Sequence, residues 1–160
     1  MIMHISIFLV LVSVFSLGFA YISEHVFGLL PCILCIYQRI PFFVVIGIGI
    51  LSLIFKGKIR LVLVILCGIS LLTGAGIALF HVGVEHGTFQ LGDGCESTDP
   101  KPTSLEELRN QLIGKPAAPC DKPQFVFLGL SMAGWNFFFS GFLGISTLLI
   151  VWRKLKEEED

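Results

Sequence analysis

The chain has 160 residues, 54% of them hydrophobic and only 14% charged, with a formal net charge of −1. A water-soluble domain carries about 25% charged residues, so this composition excludes an ordinary soluble fold. The lack of a basic excess excludes a nucleic-acid-binding surface.

A helix crosses the ~30 Å hydrocarbon layer of a bilayer with ~20 apolar residues. Four runs without Asp, Glu, Lys or Arg meet that need: Met1 to Ser23, Ile40 to Phe55, Leu61 to Val84 and Gln124 to Trp152. The second run is short and gains length by starting before Arg39; the fourth is longer than needed, which leaves its first turns in the interface. The expected spans are 3–23, 38–55, 61–83 and 131–152 of a single membrane domain covering 1–160, with outer segments at 24–37 and 84–130. Small residues near Gly18–Ala20 would also suit a cleaved signal peptide, but no Lys or Arg precedes the apolar run, and a retained helix is the better reading.

Sidedness follows from Lys and Arg in short flanks. The turn Lys56–Gly57–Lys58–Ile59–Arg60 and the tail Arg153–Lys154–Leu155–Lys156 hold six of the eleven. Four spans put both on one side, expected to be the cytoplasm, together with both termini. Ser70, Gly74 and Ala78 in the third span, and Ser140 and Gly144 in the fourth, recur every four residues. Small residues at that spacing let helices approach closely, so the expected fold class is an all-α four-helix transmembrane bundle.

The long outer segment differs in kind, being rich in Pro, Gly, Asp, Lys and Ser. After Pro102, Ser104 and Glu107 fit a capping box, and Leu105, Leu108 and Leu112 share one helical face. A short amphipathic helix lying on the membrane surface is expected there, with packing on the loop itself as the alternative.

Cys32 and Cys35 form Pro31–Cys32–Ile33–Leu34–Cys35 just before the second span, Cys95 and Cys120 lie in the long outer segment, and Cys67 sits within the third span as a small apolar filler. Three readings compete for the four outer cysteines: structural disulfides, a zinc site, and a relay of exchanging disulfides. Zinc is the weakest, because Cys95 and Cys120 form no second CxxC and an oxidising side opposes free thiolates. A structural disulfide accounts for Cys95 and Cys120. It accounts poorly for Cys32 and Cys35, since so short a loop gives little chain-entropy stabilisation. Arg39 lies four residues after Cys35, on the same face of any helix that has begun by then. Its guanidinium would stabilise a Cys35 thiolate and hold the carbonyl oxygen of an electron acceptor; the plainer alternative is an arginine reaching for the headgroups. Pro41 suits the first turn of a helix that starts near Gln38 and would disturb one that starts earlier.

At these residues the chain resembles the DsbB family of disulfide-forming membrane proteins. The resemblance rests on Pro31–Cys32–Ile33–Leu34–Cys35–Ile36–Tyr37–Gln38–Arg39, on Glu85–His86 and Gln90–Leu91, and on Cys120 followed by Phe127–Leu128–Gly129–Leu130–Ser131–Met132 and Trp135. It implies a protein-dithiol:quinone oxidoreductase of the bacterial inner membrane with a periplasmic loop. Cys95 would be attacked by a reduced DsbA-like thioredoxin-fold protein. Cys120, released, would attack Cys32 and leave Cys35 as a thiolate beside the quinone, ubiquinone or menaquinone, with Arg39 polarising the ring. The Cys32–Cys35 disulfide then re-forms. His86 is expected near the same pocket, with a helix-end histidine of no chemical role as the alternative. No metal is implied. Gln38 stands where relatives can carry an acid and is expected to matter little. A DsbA-type protein has a potential of about −120 mV, so few protein disulfides can reoxidise it, whereas a membrane quinone can. Two rival readings are a vitamin K epoxide reductase-like enzyme, whose CxxC lies near its last helix rather than its second, and a non-catalytic scaffold stapled by disulfides. The four cysteines allow three pairings, and the sequence does not choose among them.

Overall fold

The computed structural model describes residues 2–89 and 118–159. Four helices among them are long and apolar enough to cross a membrane: α1 (Ile2–His25), α2 (Ile33–Ile54), α3 (Lys58–Glu85) and α4 (Met132–Glu159). A small hairpin of β1 (Val126–Phe127) and β2 (Leu130–Ser131) leads into α4. The expected amphipathic helix around 104–112 and Cys95 lie outside the described residues.

The bundle is built around α3, which packs against α2 on one side and α4 on the other, while α1 lies chiefly along α2. Leu9, Leu17, Phe42, Val45, Cys67, Leu71 and Leu143 form the central core, and Ile2, Val64 and Val151 close the end opposite the cysteines. Large apolar side chains also cover the outside: Phe15 is 75% and Phe142 71% exposed. Water would penalise such a surface, and hydrocarbon accepts it.

The small-residue stripes explain the close contacts of α3. Ser70 donates to the Pro41 carbonyl at 3.2 Å, and a Cβ on Gly74 would stand 3.2 Å from the Pro41 ring. Pro41 therefore lies in the interior of α2, against the face of α3 that has room for it. On the other side, a Cβ on Gly144 would come within 2.8 Å of Leu72 Cγ and 3.0 Å of the Gly68 carbonyl. In a medium without water, polar side chains must find partners in the protein. Ser6, Thr73 and Thr147 do so by donating to the carbonyl four residues before them.

The tight connection from α2 to α3 turns at Gly57, whose φ of 64° is one that glycine adopts without strain. Arg60 reaches back and donates to the carbonyls of Ser52 at 3.0 Å and Phe55 at 2.9 Å, closing the carboxyl end of α2. The hairpin before α4 turns through Leu128 and Gly129, both at positive φ, as a type I′ two-residue turn requires. Trp135 of α4 holds it by donating from Nε1 to the Phe127 carbonyl at 3.0 Å.

The α3–α4 contact yields a direct test. Gly144→Ala forces a carbon against backbone and should destabilise the protein by ~1–3 kcal/mol. Gly76→Ala, where a Cβ meets nothing within 4 Å, should leave the thermal midpoint in detergent unchanged or raised. Equal midpoints for the two variants would contradict this packing.

Candidate functional site

Helix α2 begins at Ile33, ahead of the expected position 38, and this start organises the site. Cys32 is its N-cap, and the Cys32 sulfur accepts a hydrogen bond from the Cys35 backbone N–H at 3.2 Å. One helical turn then brings the sulfurs together. The Cys32 thiol donates to Cys35 Sγ at 2.8 Å, a separation from which a disulfide needs little movement. The bond to Cys35 and, second, burial hold the Cys32 thiol far above the ordinary thiol range. Of the two sulfurs, Cys32 therefore keeps its proton.

Cys120, nearly inaccessible, packs into the same cluster with Cys32, Leu34 and Val84. Gln124 donates to the Leu30 carbonyl at 2.8 Å and ties the segment after Cys120 to the one before Cys32. Three of the four expected redox cysteines are thus placed, and these three share one cluster. Cys67 stands apart, fully buried, with Sγ 3.9 Å from the Val45 carbonyl in the α2–α3 contact.

Arg39 follows Cys35 on α2, and both face a cavity of about 660 Å³. Phe19 of α1, Phe42 of α2, and Trp135 and Phe139 of α4 supply its apolar walls. Arg39 is not reaching out to headgroups. Its Nη1 binds Glu24 Oε2 at 2.7 Å, and its guanidinium lies 4.8 Å from the centre of the Tyr21 ring. A side chain fixed on both flanks offers its remaining donors to the cavity in a defined direction.

Among the described residues, the histidine in the cavity wall is His81. His86 caps the end of α3, is exposed, and is absent from the cavity wall. His81, more than one turn earlier, is buried, with Nε2 3.5 Å from Cys32 Sγ and 3.9 Å from Glu85 Oε1. Its Nδ1 meets Gln38 Nε2 at 2.7 Å. Gln38, which the sequence reading set aside, is buried, and its Oε1 accepts from Asn136 Nδ2 at 2.6 Å. Glu85 accepts from Ser131 Oγ at the start of α4. Sequence reasoning missed His81, Gln38 and Asn136. The available signal was the polarity of His81 and Asn136 inside uncharged runs and of Gln38 beside Arg39; an ionisable side chain within a span marks a candidate functional position.

Four apolar spans that carry a close dithiol at the wall of an apolar cavity define a multi-pass membrane protein built around a thiol redox centre. The model of the family described as disulfide bond formation protein DsbB matches residues 3–150. An uncharacterized protein of Rickettsia prowazekii (strain Madrid E) is 31% identical over 136 residues, covering 82% of this chain and 77% of its own. A disulfide bond formation protein B of Acinetobacter baumannii is 31% identical over 141 residues, covering 80% and 78%. Another, of Psychrobacter arcticus, is 27% identical over 159 residues, covering 94% and 89%. The chain belongs to the DsbB family of disulfide bond formation proteins.

The burial pattern sets an expected labelling result. In the folded, reduced protein Cys35 should react with a maleimide, while Cys67 should stay unlabelled until the bundle is denatured. Labelling of both at similar rates in the native state would rule out this placement of Cys67.

Proposed function

We propose that the protein is a protein-dithiol:quinone oxidoreductase that reoxidises a DsbA-like thioredoxin-fold protein and delivers the electrons to ubiquinone or menaquinone. Its place would be the bacterial inner membrane, with the basic α2–α3 turn, the α4 tail and both termini on the cytoplasmic side and the cysteines on the periplasmic side. The observation that carries the reading is the 2.8 Å approach of Cys32 and Cys35 at the wall of the apolar cavity that Arg39 also lines.

The cavity suits a quinone by its chemistry. Its aromatic and aliphatic walls match an apolar ring and the start of an isoprenoid tail, and Arg39 supplies a fixed donor for a carbonyl oxygen. A bound quinone would supply the two-electron acceptor. The residues of the chain do the rest. Cys95 and Cys120 exchange with the dithiol partner, and Cys120 passes the reducing equivalents to Cys32. Cys35 is left facing the cavity as the sulfur nearest the acceptor. Two thiols become a disulfide, and the acceptor gains two electrons and two protons, so the exchange balances. Cys32, as N-cap, and Cys35, in the first turn, sit on one rigid helix end, which holds the pair in position to re-close. The cavity walls are mainly apolar, so charge at Cys35 is felt more strongly by Arg39 than it would be in water.

The test is quinone absorbance with purified protein in detergent, ubiquinone or menaquinone, and a reduced DsbA-like protein. The intact chain should consume quinone, and Cys35→Ser should not. Absence of quinone loss with both classes, in protein that remains folded, would move the cysteines to a structural role. Arg39→Met should retain the fold and lower kcat/KM for quinone about tenfold or more, the effect of ~1.4 kcal/mol of lost transition-state binding. An unchanged value would remove Arg39 from the acceptor site.

A further inference from the structure

A line of polar side chains crosses the bundle and ends on the redox sulfurs. Ser140 Oγ donates to Asn136 Oδ1 at 2.9 Å, and Asn136 Nδ2 donates to Gln38 Oε1 at 2.6 Å. Gln38 Nε2 faces His81 Nδ1 at 2.7 Å, His81 Nε2 faces Cys32 Sγ at 3.5 Å, and Cys32 Sγ donates to Cys35 Sγ at 2.8 Å. The line runs from α4 through α2 and α3 and back to the amino end of α2. Ser140, Gln38, His81 and Cys32 are all buried.

The direction of the line follows from the chemistry of the amides. Asn136 occupies the Gln38 carbonyl oxygen, so the Gln38 nitrogen points at His81. An amide nitrogen only donates, which makes Nδ1 the lone-pair nitrogen of a neutral ring. The ring hydrogen then sits on Nε2, which faces Cys32 Sγ at 3.5 Å; the Glu85 carboxylate lies 3.9 Å from the same nitrogen, the Cys120 backbone also bonds the ring, and Arg39 is the cation nearest on the Cys35 side. Every link donates toward the sulfurs, and hydrogen bonds aligned in this way polarise one another. Cys32, Cys35 and His81 also bring their ligand atoms within 4.8 Å of one another, as a metal site would. A ligating imidazole must offer a lone pair, however, and at Nε2 the Gln38 contact leaves a hydrogen.

We propose that this chain of donors is an electrostatic relay that fixes the charge of the half-ionised dithiol on Cys35, with His81 as a catalytic donor to Cys32 Sγ and Gln38, Asn136 and Ser140 as positioning residues. The proposal rests on Cys32 and Cys35 being the redox pair of the preceding section. His81 lends a hydrogen bond and keeps its proton. Cys32, receiving that bond, gives its own proton toward Cys35, so the thiolate is held on the sulfur that shares the cavity wall with Arg39. On oxidation the Cys32–Cys35 bond forms and the Cys32 proton leaves. The two electrons pass to a quinone, which becomes the hydroquinone by taking up that proton and one from solution.

The test uses the reduced, full-length protein in detergent, with neither quinone nor dithiol partner present. The rate of Cys35 alkylation by iodoacetamide is followed by peptide mass spectrometry at pH 7 and pH 10. His81→Leu and Asn136→Leu should each slow the pH 7 reaction about tenfold, a one-decade loss of thiolate, and should match the intact protein at pH 10, where access alone limits the rate. His81→Gln, which restores an N–H donor, should recover most of the loss. Ser140→Ala removes only the distal hydroxyl, leaves the bundle folded, and should slow the reaction about twofold. Unchanged pH 7 rates in variants with native helix content and thermal midpoint would overturn the relay, as would a loss that persists at pH 10. Because no quinone is present, a protein that shows the pH-dependent loss but reduces no quinone keeps the relay and forfeits the quinone reading alone.

Discussion

In hydrocarbon a polar side chain has no water to turn to, and that constraint shapes this bundle at Gln38. Its amide occupies the middle of three helices, bonded to His81 of α3 on one side and Asn136 of α4 on the other. Removing either partner would strand a buried dipole at a cost of ~1–3 kcal/mol. The register of α2 against both neighbours is therefore set by polar pairing as well as by shape. The close contact of Pro41 with Gly74 lies in the same α2–α3 interface as the Gln38–His81 pair, and that of Gly144 with Leu72 lies in the α3–α4 interface. The dithiol sits at the end of a frame whose alignment is specified from within.

Functional positions in this protein differ in how they announce themselves. The CxxC pair and the four uncharged runs are local features, legible because spacing along the chain is what defines them. His81, Gln38 and Asn136 span 98 positions between Gln38 and Asn136, and only the antiparallel packing of the helices unites them. His81 and Asn136 each read as an isolated polar residue in an apolar run, and Gln38 reads as a neighbour of Arg39. The eye goes instead to His86, beside Glu85 in a segment on which the family resemblance rests, yet at the end of α3 His86 is exposed. The start of α2 was hidden for a related reason. Arg39 interrupts the uncharged run, so the expected start lies just before it at 38, whereas Ile33 to Gln38 is also uncharged and the helix extends through it to the Cys32 cap.

The family match over residues 3–150 takes in the first three helices, the dithiol and most of α4. The surroundings of the dithiol show how a membrane protein tunes sulfur chemistry without aqueous solvent. Arg39, clamped by Glu24 and Tyr21, provides full charge from one direction. In the proposed relay, a train of neutral dipoles provides partial charge from another, beside the Glu85 carboxylate. Neutral donors avoid the heavy desolvation that a second buried cation would bring, which is a physical reason for an imidazole and two amides to stand where a lysine could have been placed.

Arg60 gives the basic turn a second meaning. Its guanidinium belongs to the cluster of cations by which sidedness is read, and the same group closes the last turn of α2 through the carbonyls of Ser52 and Phe55. Expected orientation signal and mechanical clasp are here one side chain. Charge-swapping experiments that map topology assume that flanking cations are interchangeable beads. In this turn that assumption fails: Lys56 and Lys58 can be exchanged as pure charge, but replacing Arg60 also loosens the joint between two spans. An inverted or mixed topology after such a change would report a frayed helix as readily as an altered address.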